Sequence, residues 1–179
     1  MKWNPKLKID LVEVFNRTYS SKPYEVRRRL RQYVYSSTFQ EDFGLLVIDH
    51  IQDRTLSGKD KNGESFKGYS KSYRESDTFQ IYKGGQRVVD LKLSGEMLAS
   101  MQVRSSSSGQ VTINFVDALN AAKAHGHITG MSGRKGGVVR DFFGIKPAEE
   151  DKIMKRLIHE YSQGDSVSAQ GRELIRELA

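Results

Sequence analysis

Asp90-Leu-Lys-Leu-Ser-Gly-Glu-Met-Leu-Ala-Ser-Met101 leads through Gln110-Val-Thr-Ile-Asn-Phe-Val116 and Asn120-Ala-Ala-Lys-Ala-His-Gly-His127 to Arg140-Asp-Phe-Phe-Gly-Ile-Lys146. Strand and helix signals alternate within this span. Val111, Ile113 and Phe115 alternate with polar residues, the period of a half-buried strand. Glu96 to Met101 reads as a short helical turn with Met97, Leu98 and Met101 inward. Asp117 or Asn120 is a candidate cap for a short helix running to His125. Gly126 to Gly137 then reads as a glycine-rich loop, expected to be mobile.

Upstream, Tyr82-Lys-Gly-Gly-Gln-Arg87 has the composition of a hairpin turn. It predicts strands at 78–82 and 87–93, the second ending at Ser94-Gly95. Residues 57–78 are the most polar stretch, an arm with a tight-turn signal at Asn62-Gly63 and isolated aromatics at Phe66, Tyr69 and Tyr73. Helical spacing predicts a helix over 6–18, with Leu7, Leu11, Val14 and Phe15 on one face. A second helix begins at Ser20-Ser-Lys-Pro23, with proline in its first turn. A third runs over 38–56, with Ser37 and Gln40 as a capping box and a core face of Phe39, Phe43, Leu46, Val47 and Ile51. Gly44 inside it costs about 1 kcal/mol relative to alanine and suits close packing against a neighbour. Downstream, Lys146-Pro-Ala-Glu-Glu-Asp151 opens a helix with an acidic first turn and buries Ile153, Met154, Leu157, Ile158 and Tyr161. Residues 164–171 read as a hinge and 172–179 as a short tail helix.

The 179 residues suit one domain with a modest core. No apolar run is long enough for a transmembrane helix, and Met1-Lys-Trp-Asn-Pro-Lys6 lacks the apolar stretch of a signal peptide. With zero cysteines, thiolate-metal and disulfide chemistry are excluded, which fits a reducing cytoplasm. The net charge of +7 favours an anionic partner, DNA or an acidic protein surface.

Chemical motifs are weak. A calcium loop counted from Asp60 would need glutamate at its twelfth position, where Lys71 stands. His125 and His127 are spaced wrongly for one helix face and lack further ligands for zinc. Gly133-Arg-Lys-Gly-Gly137 lacks the phosphate-loop order and reads as a basic docking loop carrying Arg134 and Lys135. The serines form no nucleophile elbow, and Glu149-Glu-Asp151 is explained by helix electrostatics. No catalytic, cofactor or metal site is expected. Arg27-Arg-Arg-Leu-Arg31 is the densest charge run: Arg27, Arg28 and Arg31 make either a solvated face or a stripe facing DNA or an acidic partner.

Over residues 54–160 the chain resembles the phage virion morphogenesis family, the tail-completion and head–tail neck proteins. Four blocks carry the resemblance: Gly58-Lys-Asp-Lys-Asn-Gly63-Glu-Ser-Phe66-Lys-Gly-Tyr69-Ser70; Leu91, Ser94, Gly95, Met97 and Ser100; Ala122 and His125; and Arg140 to Ile145. The resemblance implies a structural virion protein, not an enzyme, assembled in the host cytoplasm into the tail or neck. It implies a ring, a hexamer, that contacts other neck and tail proteins and makes non-specific contact with packaged DNA. Phe66, Tyr69 and Tyr73 would be subunit contacts, so that replacing all three with alanine abolishes rings in a folded monomer. Gly95, Gly126 and Gly144 would be turn positions, and Phe142-Phe143 core. The expected fold is α+β: a small antiparallel sheet on two or three helices, with an N-terminal helical region (1–56), a core with its arm (57–163) and a tail (164–179). The rival reading is a basic DNA-binding accessory protein using the arginines at 27–31.

Overall fold

The computed structural model describes residues 3–86, 88–92, 94–105, 108–131 and 137–163. Its elements are β1 (Leu7–Asp10), α1 (Leu11–Thr18), α2 (Tyr24–Val34), α3 (Ser37–Leu56), α4 (Lys71–Arg74), α5 (Asp77–Lys83), α6 (Glu96–Ala99), β2 (Met101–Ser105), β3 (Gln110–Phe115), α7 (Ala118–Thr129) and α8 (Pro147–Gln163). The strands form one antiparallel sheet in the order β1-β3-β2, so the class is α+β, as expected. The expected tail helix at 172–179 lies outside the described residues.

Contacts group the chain into two compact units whose segments interleave, where the sequence suggested a cut near residue 56. One takes 1–7, 48–102 and 114–145; the other takes 8–47, 103–113 and 146–179.

In the second unit, the helix expected over 6–18 begins only at Leu11. Residues 7–10 are strand, and the Asp10 carboxylate caps α1 by accepting from the amides of Val12 and Glu13 at 2.9 and 3.1 Å. Leu11, Val14 and Phe15 are buried. Arg17 pairs with Glu150 at 2.7 Å and Asp151 at 2.9 Å, so the acidic start of α8 answers a specific cation as well as the helix dipole. Pro23 is the N-cap of α2. The capping box does not form: α3 already includes Ser37, and buried Gln40 instead donates to the Val34 carbonyl at 3.0 Å. Phe39, Phe43, Val47 and Ile51 of α3 are buried, while Leu46 is half-buried. A Cβ on Gly44 would stand 2.5 Å from Val103 Cγ1, so this helix approaches β2 as closely as glycine permits. In α8, Met154, Leu157 and Ile158 are buried, and the Tyr161 hydroxyl donates to Asp42 at 2.5 Å.

In the first unit the stretch expected as the first strand of a hairpin is helical. Residues 77–83 are helix because the Ser76 hydroxyl accepts from the Phe79 amide at 3.3 Å and Gly84, at φ 51°, closes the C-terminus in the left-handed region. The glycine pair that looked like a hairpin turn is a helix stop. Among the described residues between 84 and 94 there is no strand, while Met101, read as the end of a helical turn, opens β2. The helix beginning after Asp117 does not end at His125. α7 continues to Thr129 and buries Gly126, and Gly130 at φ 73° is its cap. Gly126 is therefore a packed helical position rather than a turn. Gly95 does sit at a turn, at φ 84°. Gly144 is buried at an ordinary φ, its backbone 3.0 Å in Cβ terms from Lys61 Cδ.

Candidate functional site

The polar arm is folded against its own unit. Its first half is a small loop pinned by Asp60, whose carboxylate accepts from the amides of Asn62 and Glu64 at 2.8 and 2.9 Å. That carboxylate organises backbone. The Lys61 amide donates to the Asp141 carbonyl at 2.8 Å, and its ammonium pairs with the Asp141 carboxylate at 2.7 Å. Buried Arg54 donates to the carbonyls of Phe142 (2.8 Å) and Gly144 (2.7 Å), so one guanidinium shapes the Arg140–Ile145 block. Phe142 is fully buried, with Phe143 half-buried against Phe115 at 5.1 Å between ring centroids.

The second half of the arm folds into α4 and α5, capped by Ser70 and Ser76. These two turns bring Tyr69, Tyr73 and buried Phe79 into mutual contact, with centroids 5.3 to 5.4 Å apart. Tyr69 and Tyr73, expected to be isolated, are thus partnered within the chain. Phe66 stands apart from this cluster; its amide donates to the Gly58 carbonyl at 2.8 Å.

Tyr69 and Tyr73 form one wall of a cavity of about 440 Å³. Leu91, Met97 and Val138 add apolar surface, and Lys83, Lys92, Lys123, His127 and Arg140 bring basic groups. α7 presents Lys123 and His127 one turn apart. Gly95 is the N-cap of α6, and its left-handed φ turns the chain so that Met97 is buried. Arg140 lies over the Tyr69 ring, 5.6 Å from its centroid, and donates to the Lys67 carbonyl at 3.2 Å. Its buried Nε has no acceptor among the described residues. The Arg140 amide donates to the His127 carbonyl at 2.8 Å, which ties the two sides.

The electrostatics follow from enclosure. Burial, with the Arg140 cation adding to it, pushes His127 down to about 4, so the imidazole is neutral at pH 7. Burial, then the Asp90 charge, raises Tyr69 to about 12, so its phenol keeps its proton. No carboxylate is among the described lining residues, and no cluster of three metal-ligating side chains occurs among the described residues. Ser70 is engaged as a helix cap, accepting from the Tyr73 amide at 3.2 Å. The arrangement is suited to recognising an apolar group that carries negative charge.

Of the residues singled out in the sequence, Tyr69 and Tyr73 reach this cavity and Phe66 does not. Arg28 and Arg31 are exposed on α2, Arg28 pairing with Glu25 at 3.1 Å, and Arg27 is half-buried. Arg134 and Lys135 lie outside the described residues. His125 does not join His127; its ring stacks on Trp3 at 4.7 Å. Sequence reasoning missed Lys83, Lys92 and Lys123 as site residues, because lone lysines carry no local signal. No protein-family model, curated protein or solved structure matches this chain. No helix among the described residues is long and apolar enough to cross a membrane.

Proposed function

We propose that this chain is a structural, non-enzymatic subunit of a tailed-phage particle, acting as a ring component in tail completion or head–tail joining. One observation carries the reading. Three of the four blocks that resemble the virion morphogenesis family are far apart in sequence yet supply residues to the same cavity: Tyr69 and Ser70 from the first, Leu91, Ser94, Gly95 and Met97 from the second, and Arg140 from the last; Ala122 and His125 of the third do not line it, although their helix adds Lys123 and His127. The described lining residues offer aromatic and cationic surface, which suits docking against an acidic partner. The net charge of +7 suits a ring around packaged DNA, by sequence-independent attraction to phosphate.

The test is native mass and negative-stain imaging of the purified protein, together with mass spectrometry of finished particles. Closed rings and presence in the tail or neck are the expected results. A phage that builds normal tails and whose particles lack the polypeptide would end the proposal.

A further inference from the structure

We propose that the cavity between Tyr69 and Arg140 docks a short acidic peptide segment of a neighbouring assembly protein, an apolar side chain entering against Tyr73, Leu91 and Met97 while carboxylates meet Lys92, Lys123 and Arg140. The inference rests on the assembly reading only for the partner being a protein; the pocket's chemistry stands by itself.

Charge complementarity identifies the occupant. Arg140 keeps a buried Nε–H without an acceptor among the described residues, a costly state that an incoming acceptor relieves. Lys92 is exposed and makes no side-chain ion pair among the described residues. Lys123 pairs with Glu96 at 3.6 Å, both side chains well exposed, and donates to Asn120 Oδ1 at 3.4 Å; an exposed pair of this kind is of little worth and a ligand carboxylate can replace it. Lys83 is already neutralised by Asp90 and belongs to the frame. The cavity therefore has cationic capacity to spare and no acidic lining residue among those described.

Size and wall chemistry argue for a peptide over nucleic acid. A volume of about 440 Å³ falls within the roughly 300–1,000 Å³ of small-ligand pockets. A duplex, whose major groove alone is about 12 Å wide, binds through its phosphates and has no use for a recessed apolar wall of tyrosine, leucine and methionine. Leu91 sits at φ 52°, a strained backbone for a leucine, and strain of this kind gathers at ligand clamps.

The probe is a dansyl-labelled hexapeptide, Glu-Asp-Leu-Phe-Asp-Glu, compared with Lys-Lys-Leu-Phe-Lys-Lys by fluorescence anisotropy on the full chain at low salt. The acidic peptide should bind at least about tenfold more tightly, and Arg140→Gln should weaken it by about tenfold. Lys92→Glu, at an exposed position where folding is not at risk, should weaken it in the same direction. Amide shifts on titration should include Tyr69, Met97 and Arg140. The proposal is overturned if the two peptides bind alike, if binding survives both substitutions, or if a short duplex DNA displaces the peptide and loses its own affinity on Lys92→Glu. The assay needs no oligomer, so its failure leaves ring assembly standing, and absent rings leave a positive result intact.

Discussion

Lys83 and Asp90 form a buried ion pair that brackets Leu91. The Lys83 ammonium donates to the Asp90 carboxylate on one side of the leucine and to the Lys92 carbonyl on the other, and the two side chains are only 4% and 10% exposed. The Lys92 amide returns a bond to Asp90 at 3.0 Å, and Gln86 adds another at 3.2 Å. Leucine at positive φ is costly, so the pair acts as a clasp that holds residues 90–92 in a shape the backbone alone would leave.

Breaking that clasp should be expensive. Lys83→Met strands a buried carboxylate and should cost about 3–5 kcal/mol in urea unfolding, whereas the double change Lys83→Met with Asp90→Leu should recover much of it. A loss below about 1 kcal/mol, as for exposed ion pairs, would show that the pair is solvated in solution.

Acid should destabilise the fold in two windows. His127, held at about 4 against 6.5 when unfolded, binds its proton more readily in the unfolded chain. Its contribution is complete above pH 6.5 and is lost as pH falls toward 4, up to about 3 kcal/mol. Burial alone would raise Asp90, but hydrogen bonds from Lys83 and the Lys92 amide outweigh it and hold its carboxyl below the usual 3.8, so its share is present above 3.8 and disappears below. Stability measured from pH 7 to 3 should lose the upper slope in His127→Gln and the lower one in Asp90→Asn.

Gly44→Ala reverses the ordinary propensity rule. Alanine is worth about 1 kcal/mol over glycine inside a helix. Here the new methyl would lie 2.5 and 2.7 Å from the Val103 methyls, and overpacking of this kind costs about 1–3 kcal/mol. Thermal melts should show a net loss, with Val103→Ala restoring the double variant above the single one.

Phe66→Ala is the cleanest probe of subunit contact. The triple alanine change at Phe66, Tyr69 and Tyr73 would also dismantle the cluster around buried Phe79 and so confuse folding with assembly. Phe66→Ala should leave the monomer's melting point within about 2 °C and, under the proposed ring assembly, weaken ring formation in native mass spectra. Rings of unchanged stability would remove Phe66 from the interface.

Local patterns were legible where one element satisfies itself. The apolar faces of α3 and α8, the alternation in β3 and the cap at Asp117 follow from period and side-chain chemistry within a few residues. They failed where a cap outranked a period. Asp10 divides what looked like one helix into β1 and α1, and Ser76 with Gly84 makes a helix of a supposed hairpin. The glycine at 126 looked like a helix end because a helical glycine costs stability, yet burial at that position overrides the propensity.

The amino-acid order by itself determined the α+β class, most of the helical segments, the basic charge and the lack of any thiol chemistry, because these rest on composition and on contacts between near neighbours in the chain. Only the tertiary structure decided that Tyr69, Leu91, Lys123 and Arg140 share one cavity, that Arg140 keeps there a donor unanswered among the described residues, and that Lys83 finds Asp90. A lone cation carries no mark of what it will face. Its role is set by desolvation and by partners from distant segments, and those exist only once the chain has closed on itself.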